Sequence, residues 1–157
     1  MTGTPSIERE ILIDAPVDAV WRAVTEPEQV SQWFSDEADL AATPGYRGTL
    51  TFDDKATHQS MSVQVTVQSV EPARLFSYRW MQPAGAEAGQ GNSVLVEFTL
   101  APEGAGTRLR VTETGLEHLG WPQDQQDSYI REHSEGWATH VGRLQDHLAR
   151  QPSGQGR

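Results

Sequence analysis

The sequence predicts an α+β domain in which an antiparallel sheet of six or seven strands curves around one long C-terminal helix, with two short helices after the first strand. Three observations predict it. Apolar and polar residues alternate in successive stretches between 37 and 114, a helical stripe runs almost to the C-terminus, and two Pro-marked helical turns follow the opening strand. At 157 residues one domain suffices, placed at 6–149 with tails at 1–5 and 150–157.

Taken in order, residues 7–13 read as a strand with Ile7, Ile11 and Ile13 on one face and Glu8 and Glu10 on the other. Asp14, Ala15 and Pro16 end it: Asp can cap a helix, and Pro tolerates a first turn, where its missing N–H has no partner to lose. Val17, Val20, Trp21 and Val24 then recur at helical spacing, and Glu26, Pro27 and Glu28 open a second helix that runs to Trp33 and Phe34. Both helices are too short to be stable undocked. Strands are expected at 37–42, 46–53, 61–71, 74–81, 93–101 and 106–114, separated by Pro, Gly and Asp turns. Met61, Val63, Val65 and Val67 share one face, as do Phe76, Tyr78 and Trp80, and again Val94, Val96, Phe98 and Leu100, so one side of the sheet is wet. Residues 82–91, rich in Gly and Ala, read as a hairpin tip. Ile130, His133, Trp137, Val141, Leu144 and Leu148 form the stripe of a helix over 124–149, with Asp124 or a neighbour capping its start.

Composition narrows the function. With 12 Lys and Arg against 22 Asp and Glu the net charge is −10, which repels phosphate backbones and anionic lipid, so neither nucleic acid nor membrane is expected as a partner. There is no cysteine, hence no disulfide, thiolate nucleophile or thiolate metal site. The longest aliphatic runs, at 11–13 and 94–96, are far too short to span a bilayer, and residues 1–5 show no leader pattern. A cytoplasmic location is the default expectation.

The order of elements implies a container. A sheet with one apolar face must bury it, and the terminal helix is the large cover available. One helix is about 10 Å wide, whereas six or seven strands lie ~4.8 Å apart, so a single rod leaves room beside it. That room is the expected cavity.

The residues also carry a resemblance. Residues 7–11 and 14–21, then Glu26 to Val30 with Trp33 and Phe34, Val70 to Leu75, Tyr78 to Trp80, Gly106 to Leu109, Thr114 to Leu116, and Gly136 and Trp137 with Leu144 resemble the START-like, or SRPBCC, superfamily. Within it they resemble the subfamily of the heat-shock-protein-90 ATPase activator domain, across about residues 6–149. The resemblance implies a helix-grip fold around a hydrophobic pocket, in a family of ligand binders, cyclase-like enzymes, self-resistance proteins and co-chaperone domains, so fold does not fix function. Two departures stand out: Gly45, Tyr46, Arg47 and Gly48 replace a Gly pair before the third strand, bearing on the pocket mouth, and Glu113 stands where many relatives have His.

Candidate lining residues are Trp33, Phe34, Phe52, Val65, Tyr78, Trp80, Val96, Phe98, Val111, Glu113, Trp121, His133 and Trp137. Aromatic walls suit flat apolar ligands. For Trp137, as for Trp21, ordinary core packing is the preferred reading. Glu113 follows Leu109 and Val111 in register, which puts a carboxylate on the apolar side, as an acid, a base or a polar anchor; alternatively it is solvated near the strand end or pairs with Arg9. His133, His140 and His147 lie seven apart, ~10.5 Å of helical rise per step, too far for one metal ion. No motif for a catalytic nucleophile, phosphate loop, metal or cofactor is present. The expected partner is therefore a small hydrophobic molecule, aromatic or polyketide-like. A cyclase- or hydrolase-type enzyme using Glu113 or His133 for proton transfer is the alternative, and a chaperone-interacting domain ranks third. A homodimer is left open.

Overall fold

A computed structural model describes residues 6–54, 59–80, 93–115 and 121–149. The elements are β1 (Ser6–Ile13), α1 (Val17–Thr25), α2 (Pro27–Trp33), β2 (Glu37–Asp39), β3 (Arg47–Asp54), β4 (Gln59–Glu71), β5 (Leu75–Trp80), β6 (Val94–Glu103), β7 (Gly106–Thr114) and α3 (Gln123–Ala149). The expected hairpin tip at 82–91, the tails at 1–5 and 150–157, Leu116 and the Met61 side chain lie outside the described residues.

Among the described residues the strands form one antiparallel sheet in the order β1-β7-β6-β5-β4-β3-β2. After β1 at one edge, α1 and α2 carry the chain across to β2 at the other. The helix-grip arrangement follows: α3, 27 residues and about 40 Å long, lies over the concave face. β2 is shorter than the expected 37–42. A bulge between Val67 and Ser69 interrupts the β4–β5 register, the kind of irregularity that bends a sheet around a rod. Gly48 is required where β3 meets β2, because a Cβ there would stand 1.9 Å from the Asp39 carbonyl. Neither it nor Gly45, Tyr46 or Arg47 is among the residues that line the cavity. Among the described residues no helix is long and apolar enough to cross a membrane.

Two local expectations are corrected. Asp14 does not cap α1; Pro16 is the N-cap residue, without a side-chain hydrogen bond, and its carbonyl takes the Ala19 and Val20 N–H groups at 3.0 and 3.2 Å. Asp124 lies inside the first turn of α3 and accepts from the N–H of Gln125 at 3.0 Å, so it acts within the turn and not ahead of it. Glu26 is both the last cap of α1 and the first of α2. Pro27 holds it extended, at φ −84° and ψ 126°, which is why one helix becomes two.

The broader correction concerns the cover. α1 packs on β6 and β7, and α2 packs on α3, so α3 does not face the sheet alone. Val20, Ala23, Val24, Val30 and Trp33 of the short helices are buried with Phe76, Phe98, Leu109 and Leu144. They plug one end of the trough solidly. The other end, facing Trp80, Glu113 and the first half of α3, is where space remains.

Candidate functional site

The open end is organised by a carboxylate. Glu113 lies near the end of β7, paired with Ile7 of β1 and Val96 of β6, and it is 0 % exposed. Alternation along β7 turns it inward with Thr107, Leu109 and Val111. A buried carboxylate is tolerated only when its oxygens are matched by donors. Here four polar side chains converge. Trp80 Nε1 and Tyr129 Oη donate to Oε2 at 3.1 and 2.5 Å, Trp137 Nε1 donates to Oε1 at 2.6 Å, and His133 Nδ1 lies within hydrogen-bond distance of Oε1 at 3.0 Å. A carboxylate offers about four lone-pair sites, as many as there are partners here.

The partners come from two directions. Trp80 ends β5 and reaches past β6, whereas Tyr129, His133 and Trp137 are spaced by four along α3 and so share one helical face. Burial, then the Glu113 charge and hydrogen bond, push the Tyr129 hydroxyl far up, which keeps it a donor. Burial and the same charge push Tyr78 up as well. Tyr129 stacks on His133 with ring centroids 3.7 Å apart, and Trp121 packs on Tyr129 from outside.

Above this cluster lies a cleft of about 260 Å³ lined by Phe34, Phe52, Val63, Trp80, Glu132, His133, Gly136, Trp137 and His140. Phe34, the C-cap residue of α2, is its hub: it stacks on Trp137 at 5.0 Å and meets Phe52 and His140 edge-on at 5.3 and 4.8 Å. Burial, with help from the Arg143 charge, pushes the His140 imidazole down to about 4, and its Nδ1 has no partner among the described residues. Gly136 borders the cleft from mid-helix, and a Cβ added there would meet nothing within 4 Å.

The structure divides the candidate residues. Phe34, Phe52, Trp80, His133 and Trp137 meet at the cleft, and Glu113 lies behind three of them. Trp33, Val65, Tyr78, Val96, Phe98 and Val111 do not border it; they are buried in the core. Trp33 spends its N–H on the Ala23 carbonyl at 2.8 Å. Trp121 is a partly buried prop for Tyr129 rather than a wall. Glu113 is neither solvated nor paired with Arg9: register places Arg9 opposite Val111, and its Nε donates to the Ser134 carbonyl of α3 at 3.1 Å. Sequence reasoning missed Tyr129, Val63, Glu132, Gly136 and His140. Tyr129 is legible as the residue one turn before His133, but the apolar stripe passes through its neighbour Ile130. Among the described residues no group of three or more His, Asp or Glu is placed to hold a metal ion.

Similarity to known proteins extends over nearly the whole chain. The solved structure of MLL2253 from Mesorhizobium loti is 25% identical, with a TM-score of 0.74 over 94% of this chain and 98% of its own. DynU16, a protein of the dynemicin biosynthetic locus, is 26% identical, with a TM-score of 0.70 over 94% of this chain but only 48% of its own. The Aha1 protein of Colwellia psychrerythraea, solved as a dimer, is 18% identical with a TM-score of 0.69 over 91% of this chain and 95% of its own, and shares the fold. No curated protein matches. The model of the family described as Activator of Hsp90 ATPase homolog 1-like protein matches residues 14–149, and the chain belongs to that family.

Proposed function

We propose that the protein binds a small, flat, hydrophobic molecule of aromatic or polyketide-like character in the cleft between the sheet and α3. The observation that carries this reading is the cleft itself, about 260 Å³ with Phe34, Phe52, Trp80 and Trp137 as walls. Sites for drug-sized ligands occupy ~300–1,000 Å³, so this one suits a compact ligand of a few fused rings. Gly136 supports the reading. A glycine inside a helix costs up to ~1 kcal/mol relative to alanine, and here its missing side chain leaves the cleft open. The likeness to DynU16, a protein of a biosynthetic locus, suits a small-molecule ligand.

Gly136→Leu tests the reading. The new side chain enters the cleft and improves helix propensity, so melting temperature should rise or hold. The wild-type protein should gain thermal stability from members of a panel of two- and three-ring aromatic compounds, by ~2.7 kcal/mol at 100 times Kd, and the variant should gain none. A wild-type protein indifferent to the whole panel, or a variant that responds as well as wild type, overturns the proposal.

A further inference from the structure

We propose that His133 makes the cleft selective for neutral aromatic molecules bearing a hydroxyl group, with Glu113 acting behind it as a positioning residue. This deepens the binding reading above and rests on it. Trp137 and Trp80 can only donate from their indole nitrogens, so Glu113 acts toward them as an acceptor. His133 shares Oε1 with Trp137, and opposite the carboxylate form of Glu113, which only accepts, Nδ1 must donate. In the neutral imidazole this fixes the proton on Nδ1 and leaves the lone pair on Nε2.

That nitrogen has no protein partner among the described residues, and the ring borders the cleft with its side chain 26% exposed. Stacking on Tyr129 and an edge-on contact with Trp80, at 3.7 and 6.2 Å between centroids, hold the ring in place. A fixed acceptor beside aromatic walls is complemented by a donor on a flat ligand. The rest of the lining agrees: Glu132 is a second acceptor at the cleft, and neither Lys nor Arg is among its described residues. An anionic ligand would meet the Glu113 charge behind the wall with no Lys or Arg in the described lining to pair with it. A neutral phenolic hydroxyl satisfies Nε2 and avoids that repulsion.

Calorimetric titration at pH ~8, above the ordinary histidine range of ~6.5, tests this with naphthalene, 2-methoxynaphthalene and 2-naphthol. The expected order places 2-naphthol roughly five-fold or more tighter than the other two, the gain of one hydrogen bond in a sheltered site. His133→Phe should erase that preference while retaining naphthalene affinity. Imidazole nitrogen NMR of the unmutated protein should show the Nδ1–H tautomer, a readout independent of whether the variant folds. Equal binding of 2-naphthol and 2-methoxynaphthalene, or an Nε2–H tautomer, overturns the role of His133 and leaves the cleft reading standing. Failure of all three compounds to bind overturns both.

Discussion

Trp33 and Trp137 are buried almost equally, at 1% and 2% exposure, and each donates its indole N–H, but to acceptors of different kinds. Trp33, at the plugged end, donates to the Ala23 carbonyl near the end of α1, a helix terminus that leaves carbonyls free. Trp137, at the open end, donates to Glu113 together with three other side chains. The plugged end meets its polar needs locally and in parallel. The open end gathers them on one group, so its aromatic walls stand or fall together. Such concentration suits a site, because it fixes several side chains at once around a space left empty.

The largest expected effect separates the two ends directly. Glu113→Ala removes one acceptor and orphans the N–H of Trp80 and of Trp137, the Tyr129 hydroxyl and the His133 proton, besides leaving a cavity. Losing one member of a buried polar cluster costs about 3–5 kcal/mol, a large share of the ~5–15 kcal/mol that holds a domain together. Trp33→Phe keeps an aromatic ring and leaves one carbonyl unpaired, for ~1–3 kcal/mol. Urea denaturation of both variants measures the difference. Equal losses would mean that the carboxylate cluster is no more concentrated than the packing at the far end.

How much of this contrast the sequence carried depends on distance along the chain. The strands and α3 were legible because alternation and a three-and-four spacing are local properties, and Glu113 was legible as an inward carboxylate because Leu109 and Val111 fix its face. Its partners were not. Trp80 lies 33 residues before it and Trp137 lies 24 after it, so only tertiary pairing brings them together. A stripe of Tyr129, His133 and Trp137 also reads as core until something polar is known to face it. The cleft was legible as spare volume, but its extent was not, since that depends on how far Val20, Val30 and Trp33 intrude. Asp14 failed as a cap because the choice between Asp14 and Pro16 is set by where the chain turns, not by capping preference alone.

A second prediction uses pH at the junction between the ends, where His140 touches Phe34 and Trp137. Its imidazole titrates near 4 in the folded protein against an ordinary 6.5, because burial, Arg143 and His133 disfavour its charge. Between those values the unfolded chain binds the proton more readily, so stability is fully present above about 6.5, falls as pH drops, and has lost this contribution by about 4. Allowing for partial exposure, the loss is about 2–3 kcal/mol. His140→Phe should flatten that part of the pH–stability curve. A curve of unchanged slope would show that the junction is wetter than its packing indicates.

The smallest effect is expected at the plugged end, in the turn from β4 to β5. Ala73 holds φ at 63°, following Pro72, in a turn closed by the Arg74 N–H on the Glu71 carbonyl at 2.9 Å. A side chain in this left-handed region costs roughly 1–2 kcal/mol, which glycine avoids, although glycine also frees the unfolded chain and returns about half of the gain. Ala73→Gly should therefore stabilise by up to ~1 kcal/mol, read as a melting temperature raised by a few degrees. β5 runs from this turn to Trp80, about 17 Å away at ~3.3 Å per residue, with Phe76 and Tyr78 rigidly packed between. Ligand affinity at the cleft should not change, since the strain is local and the carboxylate cluster fixes Trp80 independently. A shift in affinity with this substitution would mean that strand β5 transmits the turn's geometry to the cleft wall, and the two ends would then have to be treated as one mechanical unit.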